Sequence, residues 1–225
     1  DGKIIAAAQE ERFSRKKHDA RYPYNAIEFV LNFSNLKLSE VDYVIFFEKP
    51  FLKFERILMT TVSSFPRTIK MFNQSMRTWL FDKMWIKSQI KDFMKIDEKK
   101  IFFSDHHLSH AASSYFCSPF EDSAVVTFDG VGEWATTTVG YGSGSNISID
   151  KEIRFPHSIG LLYSAFTAFL GFEVNEGEYK VMGMAPFGKP KYIDKVREVV
   201  KQFDDGSFWL NNKYFSFHNS TNKSY

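Results

Sequence analysis

Three of the six histidines in this 225-residue chain fall within five consecutive positions, at His106, His107 and His110. Residues four apart share one face of a helix, so His106 and His110 could reach a single metal ion. His107 lies about 100° further round and should point elsewhere. Neutral imidazole is the commonest metal ligand in proteins. The same spacing also occurs on ordinary polar helices, so the pair alone does not establish a metal site.

A third candidate ligand follows shortly after the histidines. Residues 124–130, Ala-Val-Val-Thr-Phe-Asp-Gly, predict a short buried strand that ends in Asp129 and a turn glycine. Two imidazoles and one carboxylate suit iron, manganese or zinc and leave positions open for substrate. Asp129 could instead only cap the turn. Taken with the paired histidines, the position of Asp129 at the end of a strand favours a metal site.

The surrounding pattern predicts the elements that would position these residues. Helical spacing of apolar residues and short β-branched runs alternate along the chain, which favours an α/β fold with helices covering a sheet. Helices are predicted for 24–33, 51–96 with a break near Pro66, 104–115 and 158–172, the last capped by Ser158. Strands are predicted for 3–8, 43–47, 100–103, 124–128, 134–141, 147–155, 208–210 and 214–217.

Composition excludes several classes of protein. The chain has 29 basic and 27 acidic residues, a net charge of +2, which does not favour nucleic acid or an acidic membrane surface as a partner. Its single cysteine, Cys117, excludes an internal disulfide and fits a reducing compartment. No apolar run approaches the roughly 18 residues of a membrane span, and no signal peptide is recognisable. The expectation is a cytoplasmic protein.

Three motifs together resemble a known family. They are DHHLSHAASSYFCSPF from Asp105, VVTFDGVGEW from Val125 and GEYKVMGMAPFG from Gly177. In this order they resemble the amino-terminal domain of the O-carbamoyltransferases of the nodulation and antibiotic-biosynthesis type, which are related to the tRNA threonylcarbamoyl transferases. The resemblance implies an actin-like, sugar-kinase-like ATPase fold, of which residues 1–225 would be a truncated first half with a helical insertion at about 51–96. The first strand, the second half and a carbamoyl-activating domain would lie outside this chain.

The resemblance also implies an activity. Such enzymes move a carbamoyl group from carbamoyl phosphate, through an ATP-derived carbamoyl adenylate, to a hydroxyl of a small-molecule acceptor. We expect carbamoyl phosphate, ATP and the acceptor as partners, and a homodimer is possible. Neither nucleic acid nor a membrane is expected as a partner. The fragment alone is expected to be inactive. Alternatives are an actin-fold kinase or ATPase that uses Asp129 with magnesium, and a non-catalytic ligand-binding fragment.

Each site residue then receives an expected role. The metal ligands are His106, His110 and Asp129, with iron favoured over manganese or zinc. Glycines in the Asp129-Gly130-Val131-Gly132 turn and in the 176–188 segment would let backbone N–H groups approach anionic oxygens. The expected cofactor contacts are Gly130, Gly132, Lys180, Gly183, Arg12 and Lys16. The catalytic candidates are Lys180, Glu178 and His107. Lys180 could instead be solvated in a plain helix connection, and Arg12 and Lys16 could lie on a solvated charged face.

Overall fold

The computed structural model describes residues 2–19, 21–81 and 83–217 as a mixture of helices and short sheets. The helices are α1 (Glu10–Ser14), α2 (Tyr24–Phe33), α3 (Pro50–Ser63), α4 (Ile69–Phe81), α5 (Ile86–Met94), α6 (His106–Tyr115), α7 (Ile159–Phe169), α8 (Glu178–Met184) and α9 (Ile193–Val199). The strands are β1 (Val44–Phe46), β2 (Ile101–Phe103), β3 (Asp122–Phe128), β4 (Ala135–Ser143), β5 (Asn146–Arg154), β6 (Val200–Gln202) and β7 (Phe208–Leu210).

The chain divides into two compact units. The first contains the described residues of Asp1–Phe46 and Trp85–Phe103, and the second those of Phe47–Met84 and Ser104–Tyr225. The helices predicted for 51–96 are present, with the break at Pro66, but they are shared between the units: α3 and α4 belong to the second and α5 to the first. Whether this stretch is an insertion stays a prediction.

The first unit is built around the buried face of α5. Ile86, Ile90 and Met94 recur every four residues, so they form one stripe, and they pack with Ile101 of β2. The strands β1 and β2 pair in parallel, with Val44 opposite Ile101. A short parallel pair needs such a cover, because apolar side chains on its faces would otherwise meet water.

The second unit contains an antiparallel sheet with the order β3-β4-β5. Helix α6 packs against it through Ala111 and Tyr115, which are buried with Val125 of β3. Gly142 of β4 permits this approach, because a Cβ there would lie 2.6 Å from the Tyr115 ring. The strands β4 and β5 are joined through Gly144, whose φ of +56° favours glycine. The sheet therefore carries the histidine helix directly on one face.

Two predicted strands are not formed. Residues 3–8 carry no strand and have no partner strand among the described residues. The segment 214–217 does not return along β7, because residues 212–214 form a 3-10 turn and β7 pairs instead with β6, with Val200 opposite Leu210. Ser158 caps α7 as predicted, its hydroxyl accepting from the backbone N–H of Leu161 at 3.0 Å. No helix within the described ranges has the length and apolar character needed to cross a membrane.

Truncating the stripe of α5 should destabilise the first unit. Ile90 is 5% exposed, and Ile90→Ala should lower the free energy of unfolding by about 3 kcal/mol, since the lost burial adds to a residual cavity. Chemical denaturation measures this change. The control Ile4→Ala changes a residue that is 63% exposed and should shift stability by less than about 0.5 kcal/mol. Equal effects of the two substitutions would contradict the packing described here.

Candidate metal centre

Helix α6 brings the two spaced histidines together. His106 is its first residue and His110 follows one turn later, so the rings lie on one face with centroids 4.7 Å apart. Their Nε2 atoms are 3.1 Å apart. The His106 side chain is 14% exposed and its buried Nδ1 has no hydrogen-bond partner among the described residues. His110 is exposed. The pair therefore forms a shallow site with one sheltered and one open imidazole.

Asp129 completes the group from the end of β3. Its Oδ2 lies 2.8 Å from Nε2 of His106, and the candidate ligand atoms of His106, His110 and Asp129 all lie within 4.8 Å of one another. Ligands bound at right angles to a metal with bonds of about 2.1 Å are separated by about 3 Å. The separations of His106 from Asp129 and from His110 are of that size, so the arrangement suits a single ion shared through His106. The predicted convergence of these three side chains is thus present, and metal binding itself stays a prediction.

The Asp129 carboxylate is held in its ionised form. Its pKa is lowered from 3.8 to about 2, chiefly by the hydrogen bond with His106. Burial opposes this shift, and the backbone N–H of Gly130, which donates to Oδ1 at 2.6 Å, adds to the lowering. A carboxylate that stays charged near neutral pH is the form that binds a metal ion.

The turn that carries Asp129 is fixed on several sides. The backbone N–H of Asp129 donates to the Thr136 carbonyl at 2.9 Å. The buried Ser158 hydroxyl lies 2.9 Å from the Asp129 carbonyl and 2.7 Å from that of Gly130. Gly160 lets α7 approach, because a Cβ there would lie 2.5 Å from the Asp129 carbonyl oxygen. Sequence reasoning identified Ser158 only as a cap and missed Gly160, since no local pattern shows what a helical glycine packs against.

Gly130 and Gly132 have structural explanations of their own. The N–H of Gly130 is donated to Asp129, and that of Gly132 to the Ala135 carbonyl at 3.0 Å. A Cβ on Gly132 would lie 3.0 Å from the ring of His107 and 3.1 Å from that of His106. Their predicted contacts with a cofactor stay predictions, and the internal use of both N–H groups argues against them.

His107 faces the protein interior. It is 4% exposed; its Nε2 donates to the Ala135 carbonyl at 2.8 Å, and its Nδ1 contacts the Thr127 hydroxyl at 2.6 Å. A carbonyl oxygen only accepts, so Nε2 carries the hydrogen. Burial lowers the pKa of His107, which favours this neutral form. Both nitrogens are therefore engaged within the fold, and this geometry argues against the catalytic role predicted for His107.

Comparison with known proteins identifies the family. A family model described as the carbamoyltransferase N-terminus matches residues 1–225. The chain belongs to this family. It is 48% identical over 225 residues to an uncharacterized protein of Synechocystis sp., covering 96% of this chain and 37% of that protein. It is 31% identical over 213 residues to nodulation protein NolNO of Sinorhizobium fredii, covering 92% of this chain and 30% of the relative. It is also 40% identical over 101 residues to nodulation protein NolO of Bradyrhizobium diazoefficiens, a match that covers 44% of this chain and 17% of that relative. The chain thus spans about a third of the length of the first two relatives.

Other predicted contacts of this carbamoyltransferase domain lie on separate elements. Glu178 and Lys180 are in α8, and Gly183 is inside the same helix rather than in a loop. The carboxylate of Glu178 accepts from the Asn175 N–H at 2.9 Å and the Ser164 hydroxyl at 3.2 Å, so it holds the start of α8. Lys180 is exposed. None of the described contacts joins α8 to the three candidate ligands. Arg12 and Lys16 are exposed residues of the first unit, and their contacts with a cofactor stay predictions.

Sequence reasoning missed a buried acid beside the site. Glu133 is 8% exposed, and its carboxylate accepts the backbone N–H of His106 at 3.0 and 3.2 Å and that of Lys49 at 2.6 Å. The Lys49 ammonium contacts both carboxylate oxygens of Asp105 at 2.8 Å. Only the position of Glu133 in the VVTFDGVGEW motif could have drawn attention to it, because its partners are distant in sequence.

The lowered pKa of Asp129 predicts a pH dependence. A carboxyl group with a lower pKa in the folded state adds stability above its unfolded value of 3.8 and loses it as the pH falls towards about 2. This contribution is about 2 kcal/mol. Between about pH 5 and pH 2, Asp129→Asn should therefore lose about 2 kcal/mol less unfolding free energy than the wild type. Denaturation series across pH measure the difference.

The exposed Asp150 of β5 offers the matched substitution. Asp150→Asn should keep the wild-type slope across the same range. A wild-type slope in Asp129→Asn as well would show that its bond with His106 does not hold in solution.

Proposed function

We propose that this chain is the metal-binding amino-terminal part of an O-carbamoyltransferase. The observation that carries the proposal is the convergence of His106, His110 and Asp129, all within 4.8 Å, in a chain that belongs to the carbamoyltransferase family. The whole enzyme would move a carbamoyl group from carbamoyl phosphate, through an ATP-derived carbamoyl adenylate, to a hydroxyl of a small-molecule acceptor. The activating step is assigned to the part of the longer protein that this chain does not include.

Hydrogen bonding within the cluster supports a cation there. Nε2 of His106 lies 2.8 Å from the Asp129 carboxylate and 3.1 Å from Nε2 of His110. An imidazole nitrogen either donates one hydrogen or offers one lone pair, so Nε2 of His106 cannot donate to Asp129 and also accept from His110. A single cation would satisfy all three groups at once. The donor set therefore fits a bound metal better than a proton.

The donor types narrow the choice of ion. Two imidazoles and one carboxylate suit iron, manganese or zinc, whereas magnesium seldom takes imidazole. We propose iron first, with manganese and zinc as alternatives. When bound, such an ion supplies a Lewis acid that can polarise a carbamoyl oxygen or orient an acceptor hydroxyl. The protein contributes an ionised Asp129, two imidazoles that bind through Nε2, and an open side at the exposed His110.

We further propose that the chain forms the first half of an actin-like ATPase fold, in which Lys180 and Gly183 contact the nucleotide. The three-stranded antiparallel sheet, with Asp129 and Gly130 in its first turn, supports this assignment. The exposed ammonium of Lys180 is available to a phosphate, since its described contacts are only two aromatic rings, each centred 5.9 Å away.

Removing either imidazole ligand should abolish metal binding and carbamoyl transfer. In the full-length protein, His106→Ala and His110→Ala should each reduce the metal content from about one ion per chain to a trace, and reduce transfer to background, because two remaining ligands hold an ion poorly. Elemental analysis and a transfer assay with a panel of hydroxylated acceptors measure both effects, and circular dichroism checks the fold. Ser113→Ala, three residues beyond His110 in the next turn of the helix, is the control. Full metal content and turnover in either histidine variant would remove the assignment, and bound magnesium would favour a phosphotransferase.

The proposed nucleotide contact of Lys180 can be tested separately. Lys180→Ala should weaken ATP binding by about tenfold, as expected for one lost charge-assisted contact with a phosphate. Calorimetric titration of the full-length protein measures the dissociation constant. Lys189→Ala, which changes another exposed lysine just beyond α8, should leave it unchanged. Equal affinities for Lys180→Ala and wild type would make Lys180 a solvated residue.

A further inference from the structure

The helix that carries the two imidazoles has an unusual start. Asp105 occupies its N-cap position, where an aspartate side chain normally accepts a backbone N–H of the first turn. Here the Asp105 side chain makes no such bond and its carboxylate instead contacts the Lys49 ammonium. The capping interaction comes from Glu133, which is 27 residues beyond His106 in sequence.

The hydrogen bond that Glu133 accepts comes from a candidate metal ligand. It is the backbone N–H of His106 itself, bound at 3.0 Å by one carboxylate oxygen and at 3.2 Å by the other. The carboxylate also accepts the N–H of Lys49 at 2.6 Å. A buried carboxylate requires such donors, and a helix N-terminus attracts negative charge. The position of Glu133 therefore fixes where the first ligand of the helix begins.

Glu133 lies on the same connection as the third ligand. Only three residues separate it from Asp129. Gly132, directly before it, donates its N–H to the Ala135 carbonyl and lies against the rings of His106 and His107. The segment before α3 is held to the helix as well, since the Ser109 hydroxyl donates to the Phe47 carbonyl at 3.0 Å. Glu133 thus joins the turn that presents the carboxylate to the helix that presents the imidazoles.

We propose that Glu133 is a positioning residue for the metal centre, whose buried carboxylate holds the start of α6 against the Asp129 turn so that His106 and His110 face Asp129. The inference rests on the proposed metal site. Glu133 contacts no candidate ligand atom and acts through the backbone of His106 and Lys49. Loss of Glu133 should weaken metal binding without removing a ligand. We expect a loss of about 10- to 100-fold, the size that removal of outer-sphere partners typically causes.

The test uses Co²⁺ as a spectroscopic probe in the metal-free full-length protein. Glu133→Gln keeps the shape of the side chain but removes its charge and one acceptor oxygen. Its Co²⁺ dissociation constant should rise about 10- to 100-fold, and the visible d–d bands at saturation should change because the ligand geometry changes. Glu152→Gln makes the same chemical change at a residue of β5 that pairs with Arg154, and should leave both readouts as in the wild type. Thermal unfolding of each metal-free variant confirms that binding is measured on folded protein.

A second variant separates positioning from general destabilisation. If Glu133→Gln does not fold, Glu133→Asp, which keeps the charge but reaches one methylene less far, should weaken binding and alter the same bands. An unchanged dissociation constant and spectrum in the Glu133 variant, beside a wild type that binds Co²⁺, would overturn this inference alone. A wild type that binds no Co²⁺, Fe²⁺, Mn²⁺ or Zn²⁺ would overturn the metal site and this inference with it.

Discussion

The bond between the Glu133 carboxylate and the first backbone N–H of α6 is the interaction on which the geometry of the candidate site depends. It joins two elements that are far apart in sequence and carry different candidate ligands. Gly132 favours the approach, because a Cβ there would lie 3.0 Å from the ring of His107 and 3.1 Å from that of His106 and would crowd both. Charge and space thus act together, since the carboxylate lies at the helix start and the residue before it leaves room for the two rings.

The rotation of α6 about its axis is set by the histidine that does not face the cluster. His107 bonds to the Ala135 carbonyl with one nitrogen and to the Thr127 hydroxyl with the other. These partners belong to β4 and to β3, so the ring fixes the helix against two strands. Because successive residues are separated by about 100° around a helix, this burial leaves His106 and His110 on the adjacent face. The three neighbouring histidines therefore divide into one anchor and two candidate ligands.

Local patterns predicted those parts of the structure that depend on local forces. The histidine helix, the strand before Asp129 and the Ser158 cap all follow from spacing, β-branched residues or capping preference, each within a few positions. The predicted α/β class is confirmed, whereas the actin-like ATPase fold that the resemblance implies stays a prediction. Pairing between distant segments was not predictable in this way. The sequence predicts that β7 pairs with the segment 214–217 that follows it, whereas β7 pairs with β6, which precedes it, because apolar residues alternate in both flanking segments. Gly160 carries no local pattern that would show what it packs against.

Asp129 and Glu133 show how surroundings assign different roles to two acids on one connection. Both oxygens of Glu133 are directed to backbone N–H groups, and the residue is 8% exposed, so it has little left to offer a ligand. In Asp129, Oδ1 accepts the N–H of Gly130 and Oδ2 faces the imidazole of His106, and the side chain is 28% exposed. An added cation can replace the imidazole hydrogen beside Asp129 without breaking any backbone bond, whereas the same cation at Glu133 would have to displace the start of the helix. The metal is therefore expected at the first acid, and the second supports the scaffold that presents it.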